Sequence, residues 1–362
     1  MRIFLTFNDY PGGIYSSQVI DVCRYLREIT KQRILLVAFV SMRNYFSVRS
    51  AIKMQDATAV VLPMFPGIRN WRMNTWLLRC VLFRQRPEFI IARGPFATLL
   101  AANINSVPVC FDARGAYCSE FKEFDVSDGS FTAEEIRNIE SEALKKSKTA
   151  IAVSEALVNY WKSEFNYSDT KHVVIPCTLR TDFRYGKANR DSNTIRIVFA
   201  GGSGPWQNLT TLSDLLLPVF NKRADISLTL LVKNLPADFE LAKQFPERVT
   251  QNWVSEFEVQ EILNQCDYGW LVRDYSNTNR VASPVKFAEY LAAGLRVIIS
   301  ESLGDFSEFV SKNSCGVVLT EATDLSDLKK VSAEDRTRIS NLTKTYFVKS
   351  MYSEQYRKVL CV

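Results

Sequence analysis

The sequence predicts an α/β protein built from two Rossmann-like, doubly wound domains facing a cleft. Short apolar runs alternate with amphipathic stretches along the whole chain. The runs are almost unbroken in Val, Ile, Leu and Phe, as befits strands of a parallel sheet covered on both faces. The β, α, β rhythm also starts afresh after a polar stretch without periodicity, "FRYGKANRDSNT" at 183–194, which reads as a linker. The length of 362 residues suits two domains, with expected extents of 1–185 and 186–340.

In the first half the expected strands are 2–7, 33–40, 58–62, 88–92, 107–111, 149–153 and 172–175, with amphipathic helical patterns between several of them, such as 15–30 and 134–147. In the second half they are 195–200, 226–232, 248–250, 268–272, 296–300 and 316–319, and the stretch 333–359 reads as helical and rich in both charge signs. Repeats and low-complexity segments are absent.

Composition narrows the function classes. Hydrophobic residues make up 47% and charged residues 23%, an ordinary globular balance. No run of 18 apolar residues occurs, and the opening "MRIFLTF" is too short and too poor in small residues for a signal peptide, so a cytoplasmic protein is expected. The eight cysteines show no metal-ligand spacing and sit mostly among apolar neighbours, as reduced core thiols do. A single histidine, His172, disfavours catalytic triads and multi-histidine metal sites. The formal charge of +6 is a weak pointer to an anionic partner, and nothing points to nucleic acid.

In doubly wound sheets ligands bind outside the carboxyl ends of the strands, so the loops there are the candidates. After the first strand comes "NDYPGGIYSSQ", where Gly12 and Gly13 precede a helix whose terminal amides favour an anion; an ordinary βα turn is the competing reading. A matching loop, "FAGGSGPWQNL", opens the second half with Gly201, Gly202, Ser203 and Gly204. The two loops are expected to face each other across the cleft.

The most informative stretch is "ASPVKFAEYLAAGLRVIIS", 282–300. Ser283 suits a helix N-cap, Pro284 the first helical position and Gly294 the residue after the helix. Lys286 and Glu289, three apart, share a face. A surface ion pair is one reading. The other puts a diphosphate near Arg273, Ser283 and Lys286, where a helix dipole adds positive potential, and gives Glu289 a sugar cis-diol.

This segment, "SPVKFAEYLAAGLRVI", resembles the nucleotide-sugar-binding segment of GT-B fold glycosyltransferases, particularly the family 4 group and its bacterial polysaccharide enzymes. Supporting pieces follow in order: "PGG", "IAVSEALVNYW", "VVIPCTLRTDF", "FAGGSGPWQNL" and "NWVSEFEVQEILNQCDYGWLV". The resemblance implies that Glu289 binds ribose, Lys286 the phosphates, and the Gly12 and Gly13 loop the donor phosphate and transferred sugar. It places the base near Trp253 and Val254, and returns a C-terminal helix, about 341–362, to the first domain. Three departures stand out: Val281 occupies the place of a first glutamate, the second glycine loop lacks Arg and Lys, and the frequent first-domain histidine is replaced within "FDARGAY" by Asp112 or Arg114.

The expected activity is transfer of a sugar from a nucleotide-sugar donor to a glycan or lipid-linked glycan in bacterial surface polysaccharide biosynthesis. The resemblance implies retention of configuration, and the absence of an Asp-x-Asp triplet leads to an expectation of metal independence. No cofactor is needed, because the nucleotide sugar is a substrate. Arg273 and Lys286 would neutralise the leaving diphosphate. Under inversion Asp112 would be the base. Arg93 and Arg114, at strand ends, suit an anionic acceptor or the donor phosphate, or else a buried pairing with Asp112, Glu120 or Glu123. The stretch 68–87, with five arginines and two tryptophans, puts Arg72, Arg79 and Arg86 on one helical stripe and suits an anionic membrane surface, hence a peripheral position at the inner face of the plasma membrane; a core helix with one solvated stripe is the competing reading. The alternatives are a degenerate scaffold that binds sugar nucleotides, and a sugar-nucleotide epimerase.

Overall fold

The computed structural model describes residues 1–65, 67–124, 130–185, 193–202, 207 and 209–360. Ser203, Gly204, most of the expected linker and Cys361 lie outside the described residues. The chain forms two compact units. One comprises Met1–Thr181, Val281–Ser283 and Val348–Val362; the other comprises Asp182–Arg280 and Pro284–Phe347.

The first unit holds β1 (Arg2–Phe7), β2 (Ile34–Ser41), β3 (Val60–Met64), β4 (Phe89–Arg93), β5 (Val109–Asp112), β6 (Thr149–Ala152) and β7 (His172–Val174). They pair in the order β3-β2-β1-β4-β5-β6-β7, and every pair is parallel. The second unit holds β8 (Ile195–Ala200), β9 (Ile226–Leu231), β10 (Val249–Asn252), β11 (Tyr268–Leu271), β12 (Arg296–Ser300) and β13 (Gly316–Leu319), in the order β10-β9-β8-β11-β12-β13 and again parallel. Each expected strand is present. Their apolar side chains are the core: Ile3, Leu5, Leu36, Phe39 and Ile90 in one sheet, and Ile197, Leu228, Val297 and Ile298 in the other, are fully buried. Burial on both faces is what an unbroken apolar strand requires.

In both sheets the strand order reverses beside the first strand, between β1 and β4 and between β8 and β11. Loops leaving neighbouring strands there turn to opposite faces and open a crevice at the carboxyl edge. The fold therefore nominates two places for ligands before any side chain is considered.

Two helical expectations are corrected. The stretch 68–87 is not one helix: a tight helical segment, Ile68–Asn74, is followed by an α-helix, Thr75–Gln85, and Arg86 lies beyond its end in the left-handed region at φ 46°. Asn74 makes the break, because its side chain accepts from the Phe65 amide at 2.9 Å and donates to the Trp71 carbonyl at 2.9 Å. The stretch 333–359 likewise divides into Ala333–Tyr346, in the second unit, and Ser353–Leu360, in the first. The return to the first unit begins at Val348 and is anchored by Lys349, whose ammonium lies 2.6 Å from Asp21 and donates to the Leu179 carbonyl at 2.6 Å.

Candidate functional site

At the crevice of the first unit, β1 ends at Phe7, and Asn8 takes φ 59° and turns the chain. Asparagine tolerates this left-handed conformation better than most residues. The next residue, Asp9, lies beside Arg93 at the end of β4, with Arg93 Nε 3.6 Å from Asp9 Oδ2. Arg93 is in register with Asp112 at the end of β5, and Arg93 Nη1 lies 3.8 Å from Asp112 Oδ2. Arg114 closes the row, 2.8 Å from Asp112 Oδ1. Four charges of alternating sign thus run sideways across three adjacent strand ends.

Their exposures separate their roles. The Asp112 side chain is 0% exposed and clamped by the arginines, whereas Asp9 is 32% exposed. A cavity of about 360 Å³ opens here, lined by Asp9, Arg93, Phe7, Phe96, Tyr117 and Phe131 among others. Asp9 Oδ2 and Arg93 Nη1 are buried there without a hydrogen-bond partner. Both atoms are held in the row of charges instead, Asp9 Oδ2 at 3.6 Å from Arg93 Nε and Arg93 Nη1 at 3.8 Å from Asp112 Oδ2. Burial holds the Asp9 carboxyl above its usual range; Arg93 opposes this and Asp112 adds to it.

This arrangement corrects the nomination of Asp112 as a base. It is enclosed by Arg93 and Arg114, and Asp9 is the carboxylate that lines the cavity. Of the expected acceptor residues, Arg93 lines the cavity and Arg114 serves the pairing with Asp112. Sequence reading passed over Asp9. The only signal was its position directly after the first strand.

Gly12 and Gly13 follow Asp9 closely, and Gly12 caps the helix that begins at Gly13. A Cβ added at Gly12 would meet nothing within 4 Å, so that loop is open.

At the crevice of the second unit, β8 ends at Ala200 and leads into Gly201 and Gly202, while β11 leads through Val272 to Arg273. Lys286 reaches the same place from helix Val285–Ala292. It donates to Gln207 Oε1 at 2.8 Å and lies 5.2 Å from the centre of the Phe199 ring. The helix is fixed by Tyr290, whose hydroxyl accepts from the Ala200 amide at 3.0 Å and faces the Trp270 carbonyl at 3.5 Å. Gly269 has to lack a side chain because the Tyr290 ring packs against it. Gly201 is tight for a similar reason: a Cβ there would collide with the Gln207 amide and the Phe199 ring. Gly202 has open space toward Gln207.

Both cations are under strain from burial. Desolvation, with Arg273 adding repulsion and Glu289 attraction, pulls the Lys286 ammonium down to about 7. Desolvation lowers Arg273 to about 10. Among the described residues neither forms an ion pair; Arg273 Nη1 donates only to the amide oxygen of Asn279 at 3.3 Å. Two desolvated cations at a strand-end crevice are a candidate anion site. By contrast, a neighbouring groove of about 450 Å³, reached past Val272 and Ser300, is lined by Asp214, Glu301, Glu321 and Asp324 against one lysine, Lys222, and would repel a diphosphate.

The remaining donor-side expectations divide. Glu289 lies one turn beyond Lys286 on the same helix. Ser283 is corrected as a cap: Pro284 caps the helix, and the Ser283 hydroxyl accepts from the Cys177 amide at 2.8 Å, within the first unit. Val281 belongs there too, its carbonyl accepting from Ser154 at 2.8 Å. Trp253 and Val254 follow β10, the sheet edge two places from β8, where the Trp253 side chain is 64% exposed.

No protein-family model matches the chain, and no curated protein matches it. Solved structures do. Anabaena HepE, crystallised with UDP and glucose, superposes with a TM-score of 0.73 at 15% identity, covering 100% of this chain and 99% of that one. The chain has the GT-B fold. Sucrose-phosphate synthase of Thermosynechococcus elongatus gives a TM-score of 0.73 at 11% identity over 100% of both chains. A Listeria monocytogenes protein assigned as a UDP-N-acetylglucosamine 2-epimerase gives 0.60 at 11% identity, over 98% of this chain and 94% of that one. One fold thus carries both transfer and epimerisation, and the choice between them rests on the site.

Proposed function

We propose that the protein is a glycosyltransferase that takes a sugar from a nucleoside diphosphate and passes it to a glycan or lipid-linked glycan. The observation that supports this reading is the pair of desolvated cations, Lys286 and Arg273, at the crevice of the second unit, which form no ion pair among the described residues. Their charge would stabilise the departing diphosphate without a metal ion. Glu289 and the Gly201–Gly202 turn would hold the rest of the donor. The cavity at Asp9 and Arg93 in the first unit would take the acceptor: its phenyl and phenol rings suit the faces of a sugar, Arg93 donates to a ring substituent and Asp9 accepts from a hydroxyl.

The reaction is proposed to retain configuration. The leaving phosphate then receives the acceptor proton, Asp9 orients the acceptor hydroxyl, and Asp112, enclosed by arginines, takes no part in proton transfer. The anomeric configuration of the product, read by nuclear magnetic resonance, tests this. Under retention Asp9→Asn raises KM more than it lowers kcat; under inversion with Asp9 as base kcat falls by about 10²-fold or more. The acceptor is proposed to belong to surface polysaccharide synthesis and to be met at the inner face of the plasma membrane. Among the described residues no helix is long and apolar enough to cross a membrane.

Thermal unfolding with UDP, GDP, CMP, ADP and dTDP tests the donor site. One nucleotide is expected to stabilise the wild type, by about 2.7 kcal/mol at a hundred times its Kd, and to leave Lys286→Met unmoved. Stabilisation of both proteins alike would remove Lys286 from the site. Interconversion of a nucleotide sugar without transfer to any acceptor would favour the epimerase.

A further inference from the structure

The break at Asn74 changes what the segment 68–87 presents. Leu78 and Leu82 of helix Thr75–Gln85 are buried against the first unit. At about 100° per residue the opposite side is centred on Trp76, Cys80 and Phe83, with Arg79 on one flank and Arg84 on the other. Trp76 is 53% exposed and Phe83 is 79% exposed. The expected arginine stripe is therefore replaced by an apolar crest between arginines, the reverse of what a helix facing only water shows.

The charge around the crest has one sign. Residues 57–87 contain no Asp or Glu, and of the arginines in this segment Arg69 is neutralised by Glu135 at 3.0 Å. Arg72, Arg79, Arg84 and Arg86 are exposed and have no acidic partner among the described residues. An aromatic crest flanked by guanidinium groups matches a bilayer surface, whose apolar boundary lies just below a layer of phosphates. Proteins that bind through charge alone have no use for an outward Trp and Phe, and an apolar protein partner would not require four unpaired arginines.

We propose that helix Thr75–Gln85 is the membrane-docking face of the protein, with Trp76 and Phe83 entering the headgroup boundary of an anionic bilayer and Arg72, Arg79, Arg84 and Arg86 meeting lipid phosphates. This deepens the acceptor part of the proposed function and rests on that reading only for its purpose, since the surface itself is read from exposure and charge. A lipid-linked acceptor would be collected where it resides.

The test is sedimentation of the whole chain with vesicles of phosphatidylcholine alone and with about 30% phosphatidylglycerol. The wild type is expected to sediment with the anionic vesicles only and to release in about 0.5 M salt, where screening shortens to a few ångströms. Each arginine removed should weaken binding about fivefold, so Arg79→Gln with Arg84→Gln loses about 25-fold. Trp76→Ser with Phe83→Ser should lose binding at low salt as well. All four positions are exposed, so thermal unfolding of the variants should match the wild type. Wild type that fails to sediment with anionic vesicles, or variants that sediment as well as it does, overturns the assignment. So does a dimer in the wild type that the Trp76 and Phe83 variant abolishes, since the crest would then belong to a second copy. Nucleotide binding, measured on the same samples, reports separately on the donor site, so docking and the transferase reading can fail independently.

Discussion

Binding of a nucleoside diphosphate should take up a proton, because the free protein holds Lys286 at about 7 and a diphosphate beside it would restore the usual ammonium. The sign follows from linkage: the bound state carries more protons than the free state, so affinity falls as pH rises through the free-state value. Between about pH 7.0 and 8.5 the charged fraction of free Lys286 drops from about one half to about one thirtieth, which weakens binding about fifteenfold. The window starts at 7 because a terminal phosphate itself titrates near pH 6. Isothermal titration with UDP as the probe, in two buffers of different ionisation enthalpy, measures both quantities. It should return close to one proton taken up per nucleotide at about pH 8. Lys286→Arg keeps its charge across the range and should bind with a flat pH profile. A wild-type affinity independent of pH, with no proton uptake, would refute the argument that burial and Arg273 repulsion leave this lysine waiting for an anion.

Other expectations concern the framework. Burial raises the Glu140 carboxyl to about 8 and Glu120 to about 7, so the folded state holds protons that the unfolded chain releases near 4.5, and stability should fall as pH rises from there through 8. Glu140→Gln should flatten that fall by up to about 1.4 kcal/mol per pH unit, as read by denaturant unfolding at about pH 5.5 and 7.5. Gly201→Ala should displace Gln207 and Phe199, the two groups on which Lys286 rests, costing about 1 to 3 kcal/mol of stability and weakening UDP binding in the same titration. Lys349→Met should cost about 3 to 5 kcal/mol in denaturant unfolding, because Asp21 stays buried without its cation.

The sheets were legible because a parallel strand buried on both faces has to be apolar throughout, and "RILLVAFV" or "IRIVFA" can hardly be anything else between two turns. The places of Lys286 and Arg273 were legible for a related reason: a cation two residues past a buried strand or in the first turn of a helix is positioned by the fold. What escaped depended on contacts distant in sequence. Ser283 before Pro284 has the local form of a cap, yet its hydroxyl is taken by the amide of Cys177. Asp112 looked like a base at a strand end, and its enclosure followed only from the sheet order that sets β4 and Arg93 beside it. Asp9 gains its partner because β1 lies next to β4, an adjacency no local pattern encodes. The arginine periodicity from 72 to 86 assumed a continuous helix, and a single asparagine side chain that bonds backward and sideways divides it.

In the proposed reaction Lys286 and Arg273 serve a departing diphosphate. Release of nucleoside diphosphate from a panel of nucleotide sugars, with and without glycan and lipid-linked acceptors, tests it most directly when wild type is run beside Lys286→Ala. Release is expected from one donor, dependent on an acceptor and about 10² to 10³-fold slower in the variant. Nucleotide binding with no release from any donor and acceptor pair, or release that Lys286→Ala leaves intact, would contradict it.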